Sequence, residues 1–339
     1  MSKPAYILAF ESSCDDTSVA IVDTDYNVLC NLISSQKEHQ DYGGVLPELA
    51  SRLHLKNILR LTEAAYIKTG LSKEDISAVA VSINPGLIGS LIVGLSFAKS
   101  YAWTLGLPLI TVNHMLAHIF ANFITHKDIE APFLALVVSG GHTELVHFED
   151  MLQFSVVGKT LDDAAGETFD KTAKILGLGY PGGPIIDKLA KQGNPKAYDF
   201  PRGLNKKGNY NFSYSGTKTA IYNHIRSMDP EERQARLPDL AASIQQAIID
   251  PLINKSIAWA RVNGIKDILL AGGVAANSAL REQLGQKATK YGMRIYYPSL
   301  SLCMDNAAMV AAAAIPKYLA GHFSPLDVNA FSLKGTKLL

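Results

Sequence analysis

Short apolar runs bounded by polar turns open the chain, and longer amphipathic stretches follow them. Tyr6–Phe10, Ser18–Asp23 and Val28–Ser34 have the apolar patterns typical of strands. Pro47 then begins a helical pattern that Gly70 ends. From there, strands and helices alternate to about residue 124. The resulting order, β-β-β-α-β-α-β-α, predicts an α/β fold.

The same order of elements recurs in the second part of the chain. Leu134–Phe148 repeats the strand, polar turn and strand of Ile7–Asp23, and helices then alternate with strands up to about Leu319. We interpret this recurrence as a duplication that produces two lobes, residues 1–130 and 131–339, with a ligand site between them. A last helix over about 305–320 could pack back on the first lobe. Two hairpins that merely look alike would be the alternative.

Composition narrows the classes of function. With 47% apolar and 19% charged residues, a chain of 339 residues can bury a sizeable core. Its net charge of +1 provides no overall attraction to nucleic acid or membrane, so any RNA contact needs a local patch or a partner. Three cysteines without a CxxC pair favour a reducing compartment. Lys99, Ser100 and Pro108 interrupt the apolar stretch Ile88–Val112, which favours a buried helix and strand over a membrane span. We therefore expect a cytoplasmic protein without a membrane segment.

Three glycine-rich turns are candidate phosphate or nucleotide contacts. Ser139–Thr143 carries two glycines between predicted strands, and its N–H groups could form an anion-binding nest. Ala271–Asn277 joins a strand to a helix, whose N-terminus favours negative charge. Tyr180–Pro184 is the third, with Asp187 one turn further on. The same sequences would also suit turns without a ligand: an ordinary glycine hairpin, a tight turn with an Asn cap and a stiff connector, respectively. None of the turns is a P-loop.

A pair of histidines is the clearest candidate for a metal site. His114 and His118 are four residues apart, so a helix places both imidazoles on one face, and Asp305 could supply a third ligand. Packing or capping is the commoner explanation for an isolated pair of this kind. No Glu follows His114, which excludes the HExxH motif of metalloproteases.

Acidic residues cluster at two places. Glu11, Asp15 and Asp16 lie in the first turn, where they could bind Mg²⁺, act as a base or cap their own backbone. Asp163, Glu167 and Asp170 share one face of a predicted helix, which indicates either a polar cleft or a solvated face.

Basic and aromatic residues are interleaved in the polar stretch Gln192–Tyr214 and just after it. We expect this stretch to be an exposed excursion. Basic residues beside aromatic rings suit single-stranded RNA, whose bases stack on the rings. The residues concerned are Arg202, Lys206, Lys207, Lys218, Tyr210, Phe212 and Tyr214.

Taken together, these segments resemble the bacterial tRNA adenosine threonylcarbamoyltransferases, a family once regarded as glycoprotein endopeptidases and part of the actin-like ATPase superfamily. The resemblance covers nearly the whole chain. It rests on an ordered set of segments: Glu11–Thr17, Tyr42–Arg52, Pro85–Gly89, His114–His118, Val138–Thr143, Asp162–Thr172, Tyr180–Pro184 and Ala271–Asn277. The resemblance implies two duplicated RNase H-like, actin-like lobes.

The resemblance also implies roles for individual residues. One iron(II) or zinc ion would be held by His114, His118 and Asp305. Threonylcarbamoyl-AMP would be bound by Val137, Val138, Ser139, Gly140, Gly141, Asp170, Gly183, Asp187 and Asn277, and an ATP- or ADP-type nucleotide could occupy the same cleft. Asp15 would act as general base. The chain departs from the usual family pattern at Ser12, Asp16, Asn113 and Ala117, where Thr, Glu, His and Gly are common. The presumed metal ligands are retained.

The implied reaction transfers the threonylcarbamoyl group from threonylcarbamoyl-AMP to the N6 amine of the adenosine next to the anticodon, in tRNAs that read codons starting with A, and releases AMP. The implied partners are tRNA, a smaller paralogous actin-like subunit in a heterodimer, and a small P-loop ATPase. An actin-like small-molecule kinase is one alternative, but it leaves His114 and His118 without a role. A non-catalytic, nucleotide-gated binding protein is another. A peptidase is disfavoured because the histidine helix lacks the catalytic Glu.

Overall fold

Two sheets of five strands form the framework of the computed structural model, which describes residues 5–42 and 44–332. The chain divides into two units. Unit 1 comprises residues 1–129 and the part from Pro298 onward, and unit 2 comprises residues 130–297.

The helices and strands follow in chain order. The N-terminal part of unit 1 contains β1 (Tyr6–Glu11), β2 (Asp16–Asp23), β3 (Val28–Ser35), α1 (Pro47–Thr69), β4 (Ile76–Asn84), α2 (Ile88–Leu105), β5 (Leu109–Asn113) and α3 (His114–Thr125). Unit 2 contains β6 (Phe133–Val138), β7 (Thr143–Phe148), β8 (Phe154–Lys159), α4 (Ala165–Ile175), α5 (Gly182–Ala190), α6 (Ser215–Ser227), α7 (Pro230–Ala235), α8 (Leu237–Val262), β9 (Asp267–Ala271), α9 (Ser278–Thr289) and β10 (Arg294–Tyr296). The last helix, α10 (Ala307–Leu319), belongs to unit 1.

Both sheets have the same strand arrangement. Unit 1 has the order β3-β2-β1-β4-β5, and unit 2 has the order β8-β7-β6-β9-β10. In each, the first three strands of the chain are antiparallel neighbours, and the two later strands add in parallel to the first. The predicted α/β fold with a duplicated lobe is confirmed.

The helix ends follow local chemistry that the sequence displays. Pro47 occupies the first turn of α1, where its missing N–H costs no hydrogen bond, and Gly70 ends the helix in the left-handed conformation with φ of 69°. Asn113 caps α3 by accepting hydrogen bonds from the backbone N–H groups of Met115 and Leu116. These predicted boundaries are confirmed.

The C-terminal segment belongs to unit 1, whereas the sequence had assigned 131–339 to one lobe. The reason is that α10 is almost entirely apolar and buries nearly all of its length against β1, β2 and α3. Its first N–H, on Ala307, donates to Ser18 Oγ at 2.9 Å. Asn306 is the N-cap, so Asp305 lies just before the helix rather than beginning it.

The segment Gln192–Tyr214 is exposed at many positions, as its polar composition predicts, but buried residues anchor it to unit 2. Phe212 and Tyr214 are fully buried. The buried ammonium of Lys255, on α8, donates hydrogen bonds to the carbonyl groups of Leu204, Asn209 and Asn211, which ties the segment to that helix. The short helix α7 is a further element that the sequence pattern did not predict.

Among the described helices, none combines the length and the apolar character that crossing a lipid bilayer would demand.

Candidate functional site

The topology of unit 1 brings Glu11 and His114 to one edge of its sheet. Strands β1, β4 and β5 run parallel, so their carboxyl ends share an edge. Glu11 is the last residue of β1, and His114 begins α3 directly after β5. Their side chains meet there although the residues are 103 positions apart.

Three side chains in this region could hold a metal ion. His118 Nε2 lies 3.1 Å from Asp305 Oδ1, and His114 Nε2 lies 3.4 Å from the same oxygen. One donor atom from each residue lies within 4.8 Å of the others. Both histidine rings are buried, while the Asp305 side chain keeps 25% of its surface exposed. The structure therefore brings together the three residues that the sequence had nominated from separate segments.

Glu11 completes this cluster, although the sequence analysis had treated it only as one of several turn acids. Its Oε2 lies 3.0 Å from His114 Nδ1, and its Oε1 accepts a 2.6 Å hydrogen bond from the backbone N–H of Ser13. Ser13 Oγ is also 3.2 Å from His114 Nδ1. An Nδ1–H that donates to Glu11 leaves the Nε2 lone pair free on the side of His118 and Asp305. The signal in the sequence is an acid that ends a strand otherwise made of buried apolar residues.

The charged side chains of the cluster shift one another's pKa values. Burial alone would raise the pKa of Glu11, but the imidazolium of His114 and the hydrogen bonds from His114 and Ser13 outweigh it and lower that pKa. Burial would likewise lower the pKa of His114, but Glu11 and Asp305 raise it well above its ordinary value. The pKa of Asp305 is held far below its usual range because the two histidines overcome the effect of burial.

The donor chemistry suits a divalent transition metal. Two imidazole nitrogens and one carboxylate oxygen are the ligand types that zinc and iron(II) accept in proteins. In such sites, the ring nitrogen that does not bind the metal usually donates a hydrogen bond to a carboxylate or a carbonyl group. The residues present therefore fit a single bound ion.

The acidic turn between β1 and β2 lies beside the cluster but is not part of it. Within the described part of the chain, the group of close donors comprises His114, His118 and Asp305 and does not include Asp15. The Asp15 carboxylate accepts a hydrogen bond from the thiol of Cys14. Burial, reinforced by neighbouring carboxylates, raises the pKa of Asp16 to about 6.

A buried histidine of α1 holds this turn in place. His54 Nδ1 lies 2.8 Å from Thr17 Oγ1, and its Nε2 lies 2.9 Å from the carbonyl oxygen of Cys14. Both ring nitrogens are therefore used to hold Cys14 within the turn and Thr17 at the start of β2. The surroundings of Asp15 are thus set by α1 as well as by the turn itself.

In unit 2, the glycine turn follows β6, whose last residues Val137 and Val138 are fully buried. The turn is closed by hydrogen bonds from the N–H of Ser139 to the carbonyl of His142 at 2.8 Å and from the N–H of His142 to Ser139 Oγ at 3.1 Å.

Gly140 and Gly141 are exposed at the tip of this turn. Neither has a positive φ, and a Cβ built on either would meet no protein atom within 4 Å. The fold itself therefore does not require glycine there, and the space that a side chain would occupy at either position is open to a ligand.

Other glycines in unit 2 are required by close packing. The N–H of Gly166, in the first turn of α4, donates to the Ser139 carbonyl at 3.2 Å, and a Cβ on Gly166 would collide with that oxygen. Gly272 has φ of 88°, and its Cβ would lie 2.5 Å from the carbonyl oxygen of Val138. The carboxyl ends of β6 and β9 and the start of α4 therefore meet at the glycine turn.

The four remaining predicted substrate residues are held in polar contacts around this edge. Asp170 accepts hydrogen bonds from the backbone N–H of Gly182, at 2.8 Å, and of Gly183. Burial raises the pKa of Asp170 despite these bonds. Asp187 accepts from Ser278 Oγ at 2.9 Å, and the buried amide of Asn277 donates to Gln245 Oε1 at 2.7 Å and caps α9.

The three acids on the α4 segment do not share one site. Asp163 and Glu167 both pair with Lys171, and Asp163 also pairs with Lys218, whereas Asp170 turns towards Gly182.

The proposed stacking of RNA on Phe212 and Tyr214 fails because both rings are fully buried. The Tyr214 hydroxyl donates to the Ile248 carbonyl at 3.2 Å. Arg202, which we expected to face RNA, is paired with Asp199 and Asp250. Lys206 and Lys207 remain exposed.

Comparison with known proteins provides an independent assignment. Residues 27–312 match a family model described as tRNA N6-adenosine threonylcarbamoyltransferase. A curated protein of that name from Kosmotoga olearia is 50% identical over 96% of this chain and 97% of its own length. Proteins of the same name from Clostridium perfringens and Clostridium beijerinckii are each 49% identical over 96% of this chain and 96% of their own lengths.

Solved structures of low sequence identity share the fold. Component A of the (R)-2-hydroxyglutaryl-CoA dehydratase from Acidaminococcus fermentans aligns over 93% of this chain and 98% of its own, with a TM-score of 0.54 and 14% identity. HypF from T. kodakarensis aligns over 94% of this chain and 48% of its own, with a TM-score of 0.63 and 14% identity. At such identities the likeness concerns the fold alone.

Proposed function

Because the chain belongs to the tRNA N6-adenosine threonylcarbamoyltransferase family, we propose that the residues described above transfer a threonylcarbamoyl group from threonylcarbamoyl-AMP to the N6 amine of the adenosine next to the anticodon. The tRNAs would be those that read codons starting with A, and AMP is released. A cytoplasmic location is part of this proposal, and a tRNA substrate supports it.

The observation that carries the proposal is the His114, His118 and Asp305 cluster with its buried Glu11. These three donors would hold one iron(II) or zinc ion, which supplies Lewis-acid polarisation of the group being transferred. Glu11 fixes the ring and tautomer of His114. A small-molecule kinase built on the same fold has no use for this set of residues.

The glycine turn of unit 2 would bind the phosphate of the adenylate. Backbone N–H groups of this turn would stabilise negative charge on the leaving AMP, since Gly140 and Gly141 are exposed and carry no side chain that would block a phosphate. Gly183 is held by the Asp170 carboxylate. We assign binding of the ribose to Asp187 of α5, which accepts from Ser278 at the start of α9, and to Asn277, the N-cap of α9. An ATP- or ADP-type nucleotide has the same phosphate and ribose chemistry and would occupy the same residues.

The adenosine amine is a weak nucleophile, so positioning and charge stabilisation must provide most of the acceleration. We assign Asp15 as the base that accepts the amine proton. Replacing it with Asn removes the proton acceptor while keeping the shape of the side chain. The expected result is a large loss of kcat with an unchanged affinity for threonylcarbamoyl-AMP.

The decisive test of the function is mass analysis of the nucleosides of total tRNA from cells depleted of this protein. We expect the threonylcarbamoyl adenosine content to fall and to recover on expression of the wild-type chain. Expression of a His118→Ala variant should not restore it. An unchanged nucleoside content in depleted cells would contradict the assignment.

The proposed partners are tRNA, a smaller paralogous subunit and a small P-loop ATPase. An apolar face on unit 1 fits the paralogous subunit. Leu55 and Leu59 of α1, and Ile88 and Ile92 of α2, are each at least 45% exposed. The two helices pack against each other, and a Cβ on Gly89 would lie 3.4 Å from Ser51 Cβ. Apolar side chains clustered on neighbouring helices are typical of a protein interface.

A further inference from the structure

A groove between two helices of unit 2 combines basic side chains with an exposed aromatic ring. Helices α4 and α6 pack against each other. The groove has a volume of about 460 Å³. Its lining, which defines the α4–α6 groove, is Lys171, Lys174 and Ile175 from α4 and Lys218, Thr219 and Tyr222 from α6.

The cations of the α4–α6 groove are partly oriented by acids at its rim. Asp163 pairs with both Lys171 and Lys218, and Glu167 pairs with Lys171 at 2.6 Å. Lys174 is exposed, and the described part of the structure gives it no ion pair. Lys174 on α4 therefore keeps an exposed ammonium group that no carboxylate of the described structure neutralises.

The exposed aromatic ring of the groove is flanked by basic side chains of α6. Tyr222 is 45% exposed and stands four residues after Lys218 and four before the exposed Arg226, so the three side chains share one face of α6. A cation, a ring and a second cation along a helix face provide two phosphate contacts and a surface on which a base can stack. Unlike Phe212 and Tyr214, this ring is accessible.

The groove also adjoins the glycine turn, because α4 connects them. Gly166 in the first turn of α4 contacts Ser139, and Lys174 is eight residues further along the same helix, a distance of about 12 Å. An RNA loop that presents a base near the glycine turn therefore extends far enough to reach the α4–α6 groove. We propose that this groove binds a single-stranded or loop segment of the substrate RNA, with phosphates on Lys174, Lys218 and Arg226 and a base stacked on Tyr222. This inference rests on the proposed function.

The test measures the affinity of the full-length chain for an unmodified tRNA transcript that reads a codon starting with A, as a function of salt concentration. In the Lys174→Ala/Arg226→Ala double variant, we expect about tenfold weaker binding at low salt. Each lost contact should also reduce the slope of log affinity against log salt by about 0.7. Tyr222→Ala should weaken binding about tenfold with the salt slope retained, and Tyr222→Phe should restore most of the affinity.

Matched controls are Lys290→Ala and Tyr291→Ala, which remove an exposed lysine and an exposed tyrosine from the end of α9 in the same unit. Both should bind tRNA as the wild type does. Thermal melts verify that every variant is folded. The KM for tRNA in the transfer reaction should rise in the groove variants by the same factors as the dissociation constants.

The outcomes separate this inference from the proposed function. If the groove variants bind tRNA like the wild type and the wild type forms threonylcarbamoyl adenosine, RNA binding by the groove is contradicted and the proposed function stands. If the groove variants bind tRNA normally but no longer bind an acidic protein partner, the groove is a protein-docking surface and the RNA assignment is wrong. If the wild-type chain binds tRNA through Tyr222 but cells depleted of it keep their threonylcarbamoyl adenosine, the groove is supported and the proposed function is contradicted.

Discussion

At the scale of single residues, a buried carboxylate decides how His114, a candidate metal ligand, is oriented. Glu11 and Asp305 lie on opposite sides of the His114 ring, against Nδ1 and Nε2 respectively. Only one of them can be a ligand of an ion that also binds His118, and the distances assign that position to Asp305. Glu11 therefore acts through His114, and its contribution should appear in metal affinity.

We expect Glu11→Gln to weaken the affinity for zinc or iron(II) by about 10- to 100-fold, because the neutral amide no longer polarises the His114 imidazole. Competition with a coloured chelator measures this affinity. Ser13→Ala is the matched control, since Ser13 Oγ contacts the same Nδ1 at 3.2 Å but carries no charge, and its effect should be much smaller. Equal affinities of Glu11→Gln and the wild type would refute the orienting role.

Asp16 should make stability depend on pH. Since its pKa in the folded chain is raised to about 6, the neutral carboxyl favours folding, and this contribution is lost as the pH rises from about 4 through 6. Asp16→Asn should therefore be more stable than the wild type at pH 8, by about 1 kcal/mol after allowance for solvent screening of a partly exposed group. The difference should vanish below about pH 4. Urea denaturation at several pH values measures it.

Asp327→Asn provides the control for the change in net charge, because Asp327 is exposed near the end of the described chain. It should show no comparable pH-dependent difference from the wild type. A constant stability difference for Asp16→Asn between pH 4 and pH 8 would contradict the effect of burial on this carboxyl.

At the scale of elements, two kinds of glycine serve the turn after β6. Gly166 allows the first turn of α4 to touch the Ser139 carbonyl, whereas Gly140 and Gly141 face open space. The first kind is needed for folding of this edge, and the second is available for a ligand. The two kinds should respond differently to the same substitution.

Gly166→Ala should lower the free energy of unfolding by about 1–3 kcal/mol, because the added methyl group collides with backbone that cannot move freely. Gly140→Ala should change stability by less than about 0.5 kcal/mol. It should nevertheless weaken binding of AMP, because the methyl group occupies the space of the phosphate. Thermal denaturation and titration calorimetry with AMP measure the two effects. A stability loss in Gly140→Ala equal to that of Gly166→Ala would remove the distinction.

At the scale of the whole molecule, the chain returns from unit 2 to unit 1. The residues before α10 bring Asp305 to the two histidines, and α10 itself covers the sheet that carries Glu11. The candidate metal site is therefore assembled from both the N-terminal and the C-terminal parts of unit 1. The same unit also presents the apolar face of α1 and α2.

Leu59→Asp/Ile92→Asp should abolish heterodimer formation with the paralogous subunit, because two charges would have to be desolvated in the interface. The isolated chain should remain folded, since both side chains are at least half exposed. Ile67→Asp is the control: Ile67 is 83% exposed but lies near the other end of α1. Size-exclusion chromatography with light scattering measures complex formation. A double variant that still forms the heterodimer would place the partner elsewhere.

The sequence by itself determined what depends on neighbours along the chain. The alternation of apolar and polar residues indicated the duplicated α/β order, Pro47, Gly70 and Asn113 marked helix ends, and the spacing of His114 and His118 placed both rings on one helix face. These features follow from backbone geometry and local hydrogen bonding, which act over a few residues.

Only the tertiary structure decided which distant residues meet. It paired Glu11 with His114, returned Asp305 to unit 1 and turned Asp170 towards Gly182. It also buried the rings of Phe212 and Tyr214, which had looked suited to RNA. Parallel strands bring residues a hundred positions apart to the same edge, and the burial of an aromatic ring depends on what packs over it. Local periodicity predicts neither property, because both arise from contacts that form only when the sheets and helices are assembled.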